Sequence, residues 1–317
     1  MASIKPQLAN DADISTLVYP VIFQPKIDGV RALNLEGTLT GRSLDPFAGF
    51  GITEYWSKPE FLGLDGEMVL GNDSASPDRL CSLTTGAMGK FKGVTEVADL
   101  HWFCFDYLVD STKMLPYAER YKALQKKVAE LAHPKVHLVP STVCQNREEL
   151  DAAISAAFAN GYEGGIVRNP KSPPKEGRPS KVLQQLVRFK PWADAEILVT
   201  GITEGEENQN EATINSLGRT ERSSAQAGKV PNGMVGSLQG TMLADFFDPF
   251  TGKLLFAKGL AVTVSKGCMT QEEAAHYFEN QSEIVGHIVK FKHMTHGVKD
   301  LPRFGGYVSH RLKEDMS

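Results

Sequence analysis

Apolar positions follow two regimes along the chain. In the first, Leu17-Val18-Tyr19-Pro20-Val21-Ile22-Phe23 is continuous enough for a buried strand, and it delivers Gln24 and Lys26 to a turn at Asp28-Gly29. Residues 30–39 alternate imperfectly and predict the second strand of a hairpin. Residues 61–70 and 101–109 read as two further strands, the second rich in aromatic side chains that suit a pleated surface. In residues 117–132, Tyr121, Leu124, Val128 and Leu131 recur at three- and four-residue steps and predict a helix. A short strand follows at 136–140. A second helix starts after Asn146, with Glu149 at capping-box spacing, Leu150, Ile154 and Phe158 on its buried face, and Gly161 as its stop. Strands after Glu163 and at 186–190 close this half, and residues 1–19 read as a short lead-in.

Beyond Trp192-Ala193-Asp194-Ala195-Glu196 the pattern changes to short strands and turns, which predicts domains at 1–193 and 194–317. Residues 197–201, 235–247, 253–264 and 284–293 read as strands, and 270–283 as a helix opened by Thr270 and Glu273. Such a set suits a small Greek-key barrel of the OB type. Residues 204–232 hold few large apolar side chains and read as a long exposed loop, either a nucleic-acid contact or a disordered spacer. The fold class is α+β.

Composition is that of a soluble globular chain, with no apolar run near the ~20 residues that span a bilayer. The start, MASIKPQLANDAD, lacks an apolar signal core, so export is not expected and a cytoplasmic location is. The four cysteines form no C-x-x-C pair, which argues against a zinc module and for reduced thiols. Net charge is −4, which does not advertise a nucleic-acid binder, but two local stretches do. Lys171, Lys175, Arg178, Lys181, Arg188 and Lys190 face Glu176 alone, and Lys290, Lys292, Lys299, Arg303, Arg311 and Lys313 face Asp300 alone. Each could be a solvated loop or part of a phosphate track.

The chemistry centres on Gln24-Pro25-Lys26-Ile27-Asp28-Gly29-Val30-Arg31. A lysine is a poor nucleophile while protonated, and becomes useful when a nearby cation or burial lowers its pKa. Arg31 is a candidate cation of that kind. Gly29 offers backbone freedom at the turn, and Asp28 a brace for it. Lys26-Ile27-Asp28-Gly29-Val30-Arg31 resembles motif I, K-x-D-G-x-R, of the covalent nucleotidyltransferases, which include ATP-dependent DNA ligases, RNA ligases and mRNA capping enzymes. Asp65-Gly66-Glu67 resembles motif III, Phe105-Asp106 motif IIIa, Glu163-Gly164-Gly165-Ile166-Val167-Arg168 motif IV, and Arg188-Phe189-Lys190 motif V. His310-Arg311-Leu312-Lys313 resembles motif VI only loosely.

The resemblance implies an adenylation (nucleotidyltransferase) domain of antiparallel sheets with flanking helices, followed by an OB-fold barrel. It implies Lys26 as the nucleophile that takes AMP from ATP. Gln24, Ile27, Arg31, Arg42, Glu67, Phe105, Arg188 and Lys190 would contact the nucleotide. Gln24 stands where a glutamate usually reads the adenine amino group, and its carbonyl can accept the same bond. Phe105 would stack on adenine, Arg42 reach phosphate or ribose, and Glu67 the ribose or a metal. Glu163, with Glu67, would hold Mg²⁺ or Mn²⁺. Arg188 and Lys190, alternate residues on one strand face, would grip the α-phosphate and help hold Lys26 unprotonated. Arg188 replaces the usual lysine. Asp28, Gly29 and Arg168 support the motifs, and Arg311 would orient pyrophosphate.

With only residues 1–25 before Lys26, the resemblance leads one to expect a compact ligase of the phage type without a large N-terminal DNA-binding domain. Nicked double-stranded DNA would be its partner, clamped by a monomer between its domains, with no membrane involved. If phage-encoded, it would act in the host cytoplasm. The alternatives are an RNA ligase, a guanylyltransferase using GTP, and an inactive binding protein on the same scaffold. Arg31 and the Glu163–Arg168 stretch favour the DNA ligase. Retention of Lys26, Glu67, Glu163 and Lys190 argues against the binder.

Overall fold

The computed structural model describes residues 5–11, 13–75, 80–89, 97–249, 252–298 and 301–311. The chain divides into two compact units, Met1–Lys190 and Pro191–Ser317. The sequence reading places the division at 193/194.

Among the described residues the first unit carries the strands β1 (Asn10–Asp11), β2 (Val21–Lys26), β3 (Val30–Leu33), β4 (Leu64–Leu70), β5 (Leu100–Tyr107), β6 (Val136–Leu138), β7 (Thr142–Cys144), β8 (Gly164–Arg168) and β9 (Leu186–Phe189). Its helices are α1 (Ile52–Trp56), α2 (Leu80–Met88), α3 (Tyr117–Leu131) and α4 (Arg147–Ala159). Two sheets result, ordered β1-β9-β8-β2-β7 and β3-β4-β5-β6. The expected antiparallel sheets are in fact mixed, because β1 pairs with β9, and β6 with β5, in parallel at one edge of each sheet. The lead-in therefore supplies an edge strand.

Each sheet buries one face under its own helix. Val21, Phe23, Val167 and Val187 pack with Leu150, Ile154, Ala157 and Phe158 of α4. Helix α4 is capped by Asn146, whose side chain accepts from the Glu149 backbone N–H at 2.9 Å. Met68, Leu100, Trp102 and Cys104 pack with Leu124 of α3, Trp56 of α1 and Phe61. The chain crosses between the sheets at Asp28-Gly29. Gly29 has no positive φ. A Cβ there would meet the Met68 carbonyl oxygen of β4 at 2.3 Å, so the glycine is required by close approach and not by turn geometry.

The second unit holds a closed barrel, β10 (Trp192–Asn208), β13 (Lys229–Met242), β16 (Ala261–Ser265), β18 (Leu301–His310) and β17 (Ile288–Val298). Between these lie β11 (Ala212–Ile214), β12 (Thr220–Arg222), β14 (Phe246–Phe247), β15 (Leu254–Phe256) and α5 (Gln271–Glu279). Ile197, Val199, Leu238, Val264, Val289 and Phe291 fill the interior. The predicted strand 253–264 is broken at Gly259, whose φ is +83°. The predicted helix 270–283 ends at Glu279 and continues as a single 3-10 turn.

The expected 204–232 loop is largely strand. β10 and β13 run on as a ribbon, pairing Glu206 with Pro231 and Asn208 with Lys229, and β11 and β12 form a hairpin between them. Residues of β11 and β12 are exposed on both faces, so no apolar alternation marks them. The basic stretches do not form uniform charged faces. Lys171, Lys175, Arg178 and Lys181 are exposed, whereas Arg188 and Lys190 are tied to acids. In the second stretch Lys290 pairs with Asp194 at 2.7 Å and Arg311 with Glu196 at 2.6 Å. Lys299, Asp300, Leu312 and Lys313 lie outside the described residues.

Candidate active site

Three strand ends converge on Lys26. It is the last residue of β2 and pairs with Gly164, the first of β8. Glu163 directly precedes β8, and its backbone N–H donates to the Lys26 carbonyl at 3.1 Å. Lys190 directly follows β9. The ladder thus brings one acid and two amines together: both ammonium groups donate to the Glu163 carboxylate, which is buried.

From the other sheet, β3 and β4 place Arg31 opposite Glu67 and Leu33 opposite Asp65. Arg31 forms a two-point bond with Asp65, 2.6 Å on each arm, and is therefore committed to an acid. The Glu67 carboxylate lies in the field of Lys26, Arg31 and Glu163. Burial, opposed by Lys26 and Arg31 and reinforced by Glu163, pushes its carboxyl up to about 7. Burial likewise works against Glu163 ionising, but Lys26 and Lys190 outweigh it and hold that carboxyl down at about 2.

Lys26 differs from the expectation of a lowered pKa. Burial pulls its ammonium down, yet Glu163, Glu67 and Asp28 outweigh burial and hold it above the ordinary lysine range. The candidate cation Arg31 is spent on Asp65, so carboxylates dominate the surroundings of the amine. Lys190 moves the other way. Its burial and the positive charges of Lys26 and Arg188 lower it more than Glu163 raises it.

A buried polar chain that sequence reasoning missed runs behind the site. Arg120 on α3, 1% exposed, grips Asp106 of β5 at 2.8 and 2.9 Å. Arg168 lies 3.6 Å from the same carboxylate and donates from Nε to Gln24 Oε1 at 3.1 Å. Gln24 Nε2 in turn donates to Ser141 Oγ at 2.8 Å. Burial opposes ionisation of Asp106, but Arg120 and Arg168 prevail and keep it below the usual carboxylate range. An arginine at a core-facing position of α3 was the available signal, since a buried guanidinium demands an acid.

Phe105 is half-buried, with the Arg31 guanidinium 4.6 Å and that of Arg168 5.2 Å from its ring centre. Ile27 is buried among Val69, Leu80, Phe103 and Val139, an apolar floor beside Phe105 and Tyr162. Besides Arg31, two residues expected at the nucleotide are placed otherwise engaged or apart. Arg188 Nε bonds Asp11 at 2.7 Å, while only Lys190 reaches Glu163. Arg42 stands exposed in the turn closed by the Gly41–Asp45 bond. Arg311 belongs to the second unit, paired with Glu196.

The donor set suits a hard divalent cation that draws its remaining ligands from phosphate and water. Glu67 and Glu163 are two carboxylates beside Lys26 that can supply oxygen donors. Among the described residues no group of three or more His, Cys, Asp or Glu side chains is placed to hold a metal on its own.

Comparison with known proteins places the chain in a family. Residues 6–186 match the family model for the ATP-dependent DNA ligase domain. The DNA ligase of African swine fever virus is 26% identical over 201 residues, 61% of this chain and 47% of that protein. The chain thus spans about half the length of the curated relatives it matches. Among solved structures, a Lig E DNA ligase studied for DNA binding with a minimal scaffold superposes with a TM-score of 0.66 at 18% identity, over 96% of this chain and 98% of that one. The Chlorella virus DNA ligase-adenylate superposes at 0.50 and 21% identity, over 97% and 99%. At these identities the two structures speak for the fold. The family model spans more than half of the chain, and the protein belongs to the ATP-dependent DNA ligase domain family.

Proposed function

We propose that this protein is an ATP-dependent DNA ligase that seals nicks in duplex DNA through a lysyl-AMP intermediate on Lys26. The observation that carries this reading is the convergence of Lys26, Lys190 and Glu163 at three strand ends, with Glu67 facing them. In this reading Met1–Lys190 is the adenylation domain and the barrel of Pro191–Ser317 an OB-fold domain. The protein works as a cytoplasmic monomer.

Lys26 Nζ attacks the α-phosphorus of ATP, a P–N bond forms, and the bond to pyrophosphate breaks. AMP then passes to the 5′-phosphate at a nick. The adjoining 3′-hydroxyl attacks that phosphate and AMP departs. In the nucleotide-free protein the amine is masked, because Glu163 and Glu67 keep it protonated. Lys190 is the natural ligand of an α-phosphate oxygen, and moving it there releases one arm of Glu163. As Glu163 turns to other partners, burial favours the neutral amine. Glu67 and Glu163 would hold Mg²⁺ or Mn²⁺, which when bound supplies positive charge against the phosphate oxygens and the two carboxylates. Phe105 stacks on the adenine and Gln24 reads its edge.

Lys26→Ala should abolish covalent labelling by ATP while leaving binding to nicked duplex largely intact. Covalent AMP on that variant would defeat the assignment of the nucleophile.

A further inference from the structure

We propose that Arg168 locks the orientation of the Gln24 side-chain amide and thereby sets selectivity for adenine over guanine, an inference that rests on the lysyl-nucleotide reading of Lys26. Gln24 lies two residues before Lys26 on β2 and so shares its face of the sheet. It is 1% exposed. Oε1 accepts from Arg168 Nε, and Nε2 donates to Ser141 Oγ. A guanidinium has donors and no acceptor. Turning the amide over would set its NH₂ against Arg168, donor against donor in a buried place, with hydrogen bonds lost on both sides.

Arg168 is not free to yield. It is 4% exposed, its guanidinium lies 4.3 Å from the Tyr117 ring centre and 5.2 Å from that of Phe105, and Asp106 stands behind it, itself gripped by Arg120. Arg168 thus touches both groups proposed to meet the base. It holds Oε1 at its own guanidinium, which also lies over the Phe105 ring, and leaves Nε2 to Ser141. Among the described residues nothing else bonds Oε1, so its second lone pair is left for a ligand.

The consequence is chemical. At the purine six-position adenine offers an amino donor and guanine a carbonyl acceptor. A glutamine able to flip serves either; one held with its carbonyl forward serves the amino group. A glutamate needs no such lock, since both of its oxygens accept. Arg168 is therefore a positioning residue that makes a glutamine behave as a glutamate would.

The test is the rate of covalent labelling by ATP and, separately, by GTP, read by intact mass for the wild type, Arg168→Met, Arg168→Lys and Arg168→Met combined with Gln24→Glu. The ATP-to-GTP ratio should fall by about tenfold in Arg168→Met, the worth of one buried hydrogen bond. It should hold in Arg168→Lys, which keeps a donor, and return in the double variant, whose carboxylate cannot present a donor. Ser141→Ala should leave the ratio unchanged, because a hydroxyl accepts from Nε2 or donates to Oε1 and favours neither orientation. Arg168→Gln, which offers an acceptor as well as a donor, should narrow the ratio and serves if Arg168→Met does not fold. Equal slowing with both nucleotides, or no recovery in the double variant, would overturn the lock. A wild type labelled by neither nucleotide would overturn the lysyl-nucleotide reading itself, and the lock with it.

Discussion

At the scale of single residues the site is a contest between burial and charge. Glu67 is the losing carboxylate: burial lifts its carboxyl from 4.5 to about 7 against the pull of Lys26 and Arg31. The native state therefore holds a proton that the unfolded chain has released. Stability from this group is fully present below about 4.5 and is lost as pH rises to about 7. Glu67→Gln should not titrate there. Without divalent metal, its stability advantage over the wild type should grow between pH 5 and pH 8 by roughly 1–3 kcal/mol. Urea melts at both pH values measure this, and a constant difference would contradict it. Lys26, Glu163 and Lys190 were legible through the resemblance of their flanking sequence to motifs I, IV and V, each beside the end of an apolar strand. Their true surroundings were not. The acids that occupy Arg31 and Arg188 are 34 and 177 residues away in sequence, and no local pattern announces such pairs.

At the scale of elements, the legible parts are those with one buried face. Helices α3 and α4 and strand β5 carry apolar periodicity and form within a residue or two of where it ends, whereas β2 and β4 start three or four residues later than their apolar runs. The β10–β13 ribbon and the β11–β12 hairpin were misread because both faces meet water. Strand β18 was missed for another reason. Phe304 has φ +57° and is followed by Gly305-Gly306, so the alternation is broken in mid-strand. One glycine ties an element directly to the chemistry. A Cβ on Gly164 would meet the Phe189 carbonyl oxygen at 2.2 Å, between Glu163 and the strand that presents Lys190. Gly164→Ala should spread β8 from β9, cost about 1–3 kcal/mol in a denaturant melt, and slow lysyl-AMP formation. Unchanged stability and labelling would show that the ladder does not set the position of Glu163.

At the scale of the molecule, the chain holds separate cores. Ile197, Leu238, Val264 and Phe291 belong to the barrel, and none of the clusters in the first unit draws on a residue beyond Phe189. Two units with their own cores should melt as two cooperative transitions in calorimetry. Val264→Ala, at a fully buried barrel position, should lower only one of them. A single transition shifted as a whole would mean that the units are energetically one. No helix among the described residues is long and apolar enough to cross a membrane. The most direct measurement is intact mass after incubation with Mg²⁺ and either ATP or GTP, followed by nicked duplex DNA. An AMP adduct from ATP, carried on Lys26 and discharged as the nick is sealed, is the predicted result. An adduct formed only from GTP, one discharged only by RNA, or no adduct at all would contradict the ligase reading.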